Sequence, residues 1–333
     1  MTADRVGRTV VVIVGGLAAA GLGFVAFLVV PAGNVARLLG VVATLLVAFL
    51  GVRFASSAAR SLFPSYNVAR VSVEGPIARR PTGGVPPRPV MVTADDVVEQ
   101  IERADADDAV DALIVHLDTP GGEVVPSDDI RRAVDEFDGP TVAYATDTCA
   151  SGGYWIASGT DHIVAREGSI VGSIGVIASR VTGPDLLDRL GLTYERLVAG
   201  DYKDAGVALR EMDEDEREYL QGIVDDYYDA FVERVEEGRD LDEGTIRDTE
   251  ARVYLGEAAA ELGLVDEIGA DDAVEAWLEE TLETDVAVAA FEPSVGLAAR
   301  FRIGVERVAY AVGAGITGVV ADDGDPLSDV RFR

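Results

Sequence analysis

Three short stretches hold residue types suited to nucleophilic chemistry. Ala150-Ser151-Gly152-Gly153-Tyr154 sets a serine among small residues where a hydrophobic strand gives way to a helix. A hydroxyl there is exposed, and the start of a helix favours developing negative charge. The same position also suits a serine that merely caps the helix. Pro120-Gly121-Gly122 follows another hydrophobic strand. Paired glycines let backbone N–H groups turn toward a ligand, as in an oxyanion hole, although an ordinary strand-to-helix turn uses them too. Gly200-Asp201-Tyr202-Lys203-Asp204-Ala205-Gly206 carries the only lysine in 333 residues, against 27 arginines. Arginine can replace lysine in a salt bridge but not as a general base, because a guanidinium effectively never gives up its proton. A lysine working as a base must be mostly neutral near pH 7. Its pKa must then fall from about 10.4 to about 7–8, roughly 4 kcal/mol, which apolar burial can supply. Asp201 and Asp204 oppose that shift and must point away from the amine.

The elements that would carry these residues alternate. Asn67–Val73 reads as a strand, and a Pro- and Gly-rich loop follows from Pro76 to Pro89. Thr93-Ala94-Asp95-Asp96 has the form of a helix start. Strands are expected over Ala112–Leu117, Thr141–Ala145, His162–Ala165, Ile170–Ile177 and Thr193–Val198. Helices are expected over Ser127–Phe137, Asp185–Leu190, Asp213–Glu237, Gly256–Leu262 and Asp271–Thr281, a turn entering a helix over Ser151–Ala157, and a last strand over Asp285–Phe291. Repeated β-then-α units imply an α/β fold, a parallel sheet with helices on both faces.

Residues 1–60 carry a net charge of +4 and the rest −35, out of −31 overall. Thr9 to Ala36 holds no charged residue, and a second apolar run spans Leu38 to Val52. Pro31-Ala32-Gly33-Asn34 makes a turn between them. Two transmembrane helices, about 10–30 and 36–55, form the leading reading of the segment 1–60. One span plus an interfacial helix, or a cleaved signal peptide, are the alternatives. A hairpin leaves both ends on one side. Arg5, Arg8, Arg53 and Arg60 at those ends, against Arg37 in the loop, lean toward the cytoplasm. Residues 61–92 then read as strand and connector, 93–292 as the catalytic domain, and 293–333 as a helical tail built on the apolar run Val308–Val320.

Composition narrows the function. Phosphate contacts need clustered Lys and Arg, so a chain at −31 is a poor nucleic-acid binder. One cysteine, Cys149, permits no intramolecular disulfide, and two histidines without an HExxH motif exclude a zinc protease. No cofactor is called for. His116 lies inside an apolar strand and reads as a core residue, His162 as a local hydrogen-bonding residue and Cys149 as small core filling. Abundant carboxylates with almost no lysine also suit a protein soluble in multimolar salt, which points to a halophilic organism; a GC-rich genome is the other explanation.

Taken together, the motifs resemble the signal peptide peptidase A (SppA) family, membrane serine–lysine peptidases of crotonase/Clp-protease-like fold. The matching stretches are DTPGG at 118–122, TCASGGYWIAS at 148–158, GSIVGSIGVI at 168–177, GDYKDAG at 200–206 and ARVYLGEAAAELGLVDEIG at 251–269. The resemblance spans residues 66–280. It implies Ser151 as nucleophile, Lys203 as general base and Ser173 as the hydroxyl that orients the lysine. Backbone at Gly121, Gly122 and Gly152 would form the oxyanion hole. It also implies hydrophobic peptide substrates, such as cleaved signal peptides, and attachment to a lipid bilayer. Family members assemble into rings, and a chain with one copy of the fold would share each site between neighbouring protomers. An acyl-CoA hydratase or isomerase of the same fold, and an inactive membrane scaffold, are the rival readings.

Overall fold

The computed structural model describes residues 2–30, 33–80 and 93–293. Residues 1–291 form one compact unit, and a second begins at Glu292. The helix expected in the tail lies outside the described residues.

Helix α1 (Thr2–Phe24) continues through a π-helical turn, Val25–Val29, and α2 runs from Asn34 to Leu62. Val6–Val29 and Leu39–Ala59 have mean hydropathies of 2.5 and 2.0 and are long enough to cross a membrane. α1 begins before, and α2 ends after, the limits expected from the apolar runs alone. Small residues set their contact. A methyl added to Gly15 would lie 2.5 Å from the Ala55 Cβ, and one on Gly51 2.1 Å from the Ala19 Cβ. The Thr44 hydroxyl lies 3.1 Å from the Gly23 carbonyl across the interface. Lipid offers no hydrophobic drive between helices, so close backbone approach is what holds such a pair. A disulfide between Gly16→Cys and Val52→Cys is expected to close under mild oxidation. Gly51→Leu should abolish it, as read on a non-reducing gel.

The rest of the unit is a single mixed sheet. Its strands are β1 (Val68–Glu74), β2 (Ala112–Thr119), β3 (Thr141–Ala150), β4 (His162–Ala165), β5 (Ile170–Gly172), β6 (Val253–Leu255), β7 (Glu267–Ile268) and β8 (Val288–Ala290). The order is β6-β5-β3-β2-β1-β8, with β4 beside the first half of β3 and β7 beside β4. Every pairing is parallel except β5 with β6. β1, read above as part of the connector, is an interior strand, so the catalytic fold begins before residue 93.

Side-chain alternation divides the core in two. Leu113, Val115, Leu117, Ala143 and Ala145 face helices α3 (Ala94–Asp105), α4 (Val124–Asp135), α5 (Gly152–Ala157) and α7 (Glu214–Arg239). Ala112, Ile114, Val142 and Tyr144 face α10 (Asp271–Leu282) through Val274 and Leu278. Helices therefore cover both faces, as expected. Thr93 caps α3 with the full reciprocal box to Asp96. Short helices α6 (Pro184–Arg189), α8 (Glu243–Asp248) and α9 (Gly256–Glu261) complete the chain.

Two expectations fail between β5 and α7. The strand expected to reach Ile177 stops at Gly172, where Ser173 turns to a φ of 54°. Thr193–Val198 forms no strand, because no strand among the described residues lies alongside to pair with it. This arm is rich in uncovered apolar side chains: Ile177 is 90%, Val181 89% and Leu197 92% exposed.

Candidate active site

Ser151 is the single residue between β3 and α5. The β2–β3 register slips between Leu117 and Thr119, where Thr119 pairs with Cys149. This irregularity bends β3 so that its last residues pair with β5 instead of β4. Ser151 N–H then donates to the Gly172 carbonyl at 2.9 Å. The price of leaving a strand and entering a helix in one step is a left-handed conformation, φ 53° and ψ −120°. At the N-cap position its side chain makes no capping hydrogen bond. The capping role open on sequence grounds is therefore not the one it plays.

Close packing explains the glycines beside it. A Cβ on Gly152 would lie 2.4 Å from the Ser127 hydroxyl, and one on Gly153 2.7 Å from the Thr119 methyl. Gly121, at φ 89°, lies directly against Ser151 and Gly152. Its N–H already donates to Thr119 Oγ1 at 3.0 Å, and Thr119 Oγ1 donates to the Gly75 carbonyl at 2.6 Å. Among the described residues, the N–H groups of Gly122 and Gly152 have no such acceptor. Gly121 thus shapes the turn, and Gly122 and Gly152 keep the free donors.

Ser151, Gly152, Gly122 and Ser173 share one cavity of about 650 Å³. Its apolar wall includes Val124, Trp155, Val224 and Phe231. Ser173 N–H donates to the Arg252 carbonyl at 2.9 Å. Glu250 and Ala251, at φ 49° and 56°, close the opposite side. Among the described residues, four of the six non-glycine residues with positive φ therefore meet at this cavity; the other two, Asp240 and Glu283, end helices. Thr119, Ser127 and the turn 249–252 were not singled out from sequence, since no local pattern ties them to Ser151.

Lys203 lies elsewhere. It sits exposed in the arm before α7 and does not line the Ser151 cavity. Its neighbour Asp204 does not point freely to solvent. Arg196 and then Arg210 hold its carboxyl well below the usual carboxylate range, and Arg210 also pairs with the buried Glu216. The Asp204 carboxylate is thus held by two guanidinium groups.

The other reactive residues stand apart. Cys149 is fully buried, its thiol pushed up to about 12 by burial. His162 stacks on Trp277 at 4.7 Å, with Nδ1 3.7 Å from an Asp266 carboxyl oxygen and Nε2 3.6 Å from a Glu267 one. His116 lies 3.2 Å from Thr146 Oγ1 on the α10 side of the sheet. Burial first, and then Arg70, lowers its pKa below 6.5. A depressed value means its contribution to stability is complete above the ordinary pKa and is lost as pH falls through the folded one. His116→Asn should therefore lose less thermal stability than wild type between pH 7 and pH 5, measured by circular dichroism melts.

The profile of peptidase family S49 matches residues 136–285, a stretch that holds Ser151, Ser173 and Lys203. The Synechocystis sp. protein slr0021, provisionally named a protease, is 35% identical over 213 residues, covering 63% of this chain and 72% of that protein. The chain belongs to peptidase family S49. A Methanocaldococcus jannaschii protein, also provisionally named a protease, is 36% identical over 178 residues. That match covers 53% of this chain and 57% of the relative. An Enterococcus faecium protein provisionally named signal peptide peptidase SppA is 32% identical over 226 residues, 66% of this chain and 65% of that one. Among solved structures, a serine-to-alanine mutant of the 1510-N membrane-bound stomatin-specific protease aligns with a TM-score of 0.45 at 16% identity. It covers 69% of this S49 chain and 99% of its own.

Proposed function

We propose that this S49 chain is a membrane-bound serine endopeptidase with a Ser151–Lys203 dyad. The observation that carries the reading is Ser151 itself. It is held in a strained strand-to-helix step, free of any capping bond, facing a cavity with two unspent N–H donors. Neutral Lys203 takes the Ser151 proton as its oxygen attacks a peptide carbonyl. The N–H groups of Gly122 and Gly152 receive the oxyanion, and Ser173 orients the amine. The leaving amine departs with a proton, and water activated by the same lysine releases the acyl-enzyme.

Lys203 reaches Ser151 from a neighbouring copy. Its exposed position and the uncovered apolar arm around it, with Ile177, Val181 and Leu197, support a head-to-tail ring in which this arm is buried. The apolar wall of the cavity supports hydrophobic peptides, cleaved signal peptides among them, as substrates. The two apolar helices cross the bilayer as a hairpin and keep the catalytic unit at the cytoplasmic face, the side to which the arginine placement in the sequence leans.

The test is hydrolysis of a fluorogenic hydrophobic peptide by the full chain in detergent at high salt, with Ser151→Ala and Lys203→Ala beside it. Turnover lost in both variants supports the dyad. Full activity in Lys203→Ala removes the base assignment, and no turnover by wild type favours a non-catalytic scaffold.

A further inference from the structure

Ser151 heads α5, and Trp155 follows four residues later. Both residues line the same cavity. Trp155 N–H donates to the Ser151 carbonyl at 2.9 Å, so the turn that joins them is closed. The indole is only 5% exposed, and what remains open faces the Ser151 cavity. Two helices besides its own fix the ring. Its Nε1–H donates to Asp128 Oδ1 on α4 at 3.2 Å. Its face meets Phe231 on α7, with centroids 4.8 Å apart and planes at 45°. A buried indole with a satisfied N–H and an aromatic backing has little freedom to move aside.

We propose that Trp155 sets the size of the substrate side chain accepted beside the scissile bond, and that Asp128 is the positioning residue that holds the indole in place. The inference rests on the peptidase reading above. An apolar pocket distinguishes side chains mainly by volume, and only to the extent that its wall does not yield. Val124, Val224 and Tyr228 line the same cavity as the indole, which by this proposal limits the depth open to a substrate side chain. The substrate class proposed is peptides with a leucine-sized residue at the acyl position.

The experiment uses the full chain in detergent and four peptides with Ala, Leu, Phe or Trp before a fluorogenic leaving group. A fluorophosphonate titration counts reactive Ser151 in each preparation. Wild type is expected to favour Leu over Phe and Trp. In Trp155→Ala the Phe-to-Leu ratio of kcat/KM should rise about tenfold or more, and Trp155→Phe should fall between. Asp128→Ala should move the ratio in the same direction, and Asp128→Asn, whose amide oxygen still accepts the indole proton, should restore it. A ratio unchanged in both Trp155 variants, with Ser151 still titrating fully, overturns the inference while the peptidase reading stands. A ratio that shifts in Trp155→Ala but not in Asp128→Ala overturns the role of Asp128. A wild type that neither titrates nor turns over any peptide takes down both readings.

Discussion

Ser151→Ala and Lys203→Ala preparations should each lose activity by roughly 10⁴–10⁶-fold, as dyad members that act as a unit do. Mixed and allowed to exchange subunits, the two dead proteins should recover turnover. In a head-to-tail ring every site takes its serine from one protomer and its lysine from the next. An equal mixture pairs an intact serine with an intact lysine at about a quarter of the interfaces, so recovery approaches about a quarter of wild type. A site built within one chain predicts none, because each protomer carries one lesion. The structure motivates the test: Ser151 lines the cavity, while Lys203 lies exposed on an arm rich in uncovered apolar residues. Peptide hydrolysis before and after exchange separates the outcomes.

The second large effect is expected at Gly175, a residue that does no chemistry. A methyl there would lie 2.6 Å from the Ala251 Cβ, and neither partner is the end of a flexible side chain. Relief must come from the backbone. Ser173, two residues earlier, is tied to the Arg252 carbonyl and shares the cavity with Ser151. Gly175→Ala should therefore displace Ser173 and reduce kcat by about 10²-fold, the cost of an error of about 1 Å in a catalytic constellation. Ala251→Gly removes the opposing methyl and should restore most of kcat in the double variant. By itself Ala251→Gly should stabilise the fold by up to about 1 kcal/mol, since it frees a left-handed alanine from steric conflict. Retention of full activity by Gly175→Ala would show that the turn does not position the site.

Much of this was legible in the chain because it depends on near neighbours. The apolar runs of the hairpin, the alternation in β2, the capping box at Thr93 and the helix entered at Ser151 each follow from periodicity or turn chemistry within a few residues. Signals that needed a distant partner misled. Ile174–Ile177 and Thr193–Val198 have the composition of strands, yet a strand exists only where another can pair with it. β7, only Glu267 and Ile268, has too little pattern to see and exists because β4 runs alongside.

The sequence by itself determined the chemistry available: one lysine among the basic residues, a serine followed by two glycines at a strand-to-helix turn, and an N-terminal segment suited to lipid. Which groups are free to act was decided by the tertiary structure. Thr119 claims the Gly121 N–H and leaves those of Gly122 and Gly152, a distinction invisible in a run of glycines. Gly172 draws in the Ser151 backbone, and the turn at 250–252 brings Ser173 to the same cavity from the far side. Positive φ at Ser151, Ser173, Glu250 and Ala251 cannot be inferred from those residue types, which avoid it. It persists because strands and helices distant in sequence overdetermine the path of the chain there.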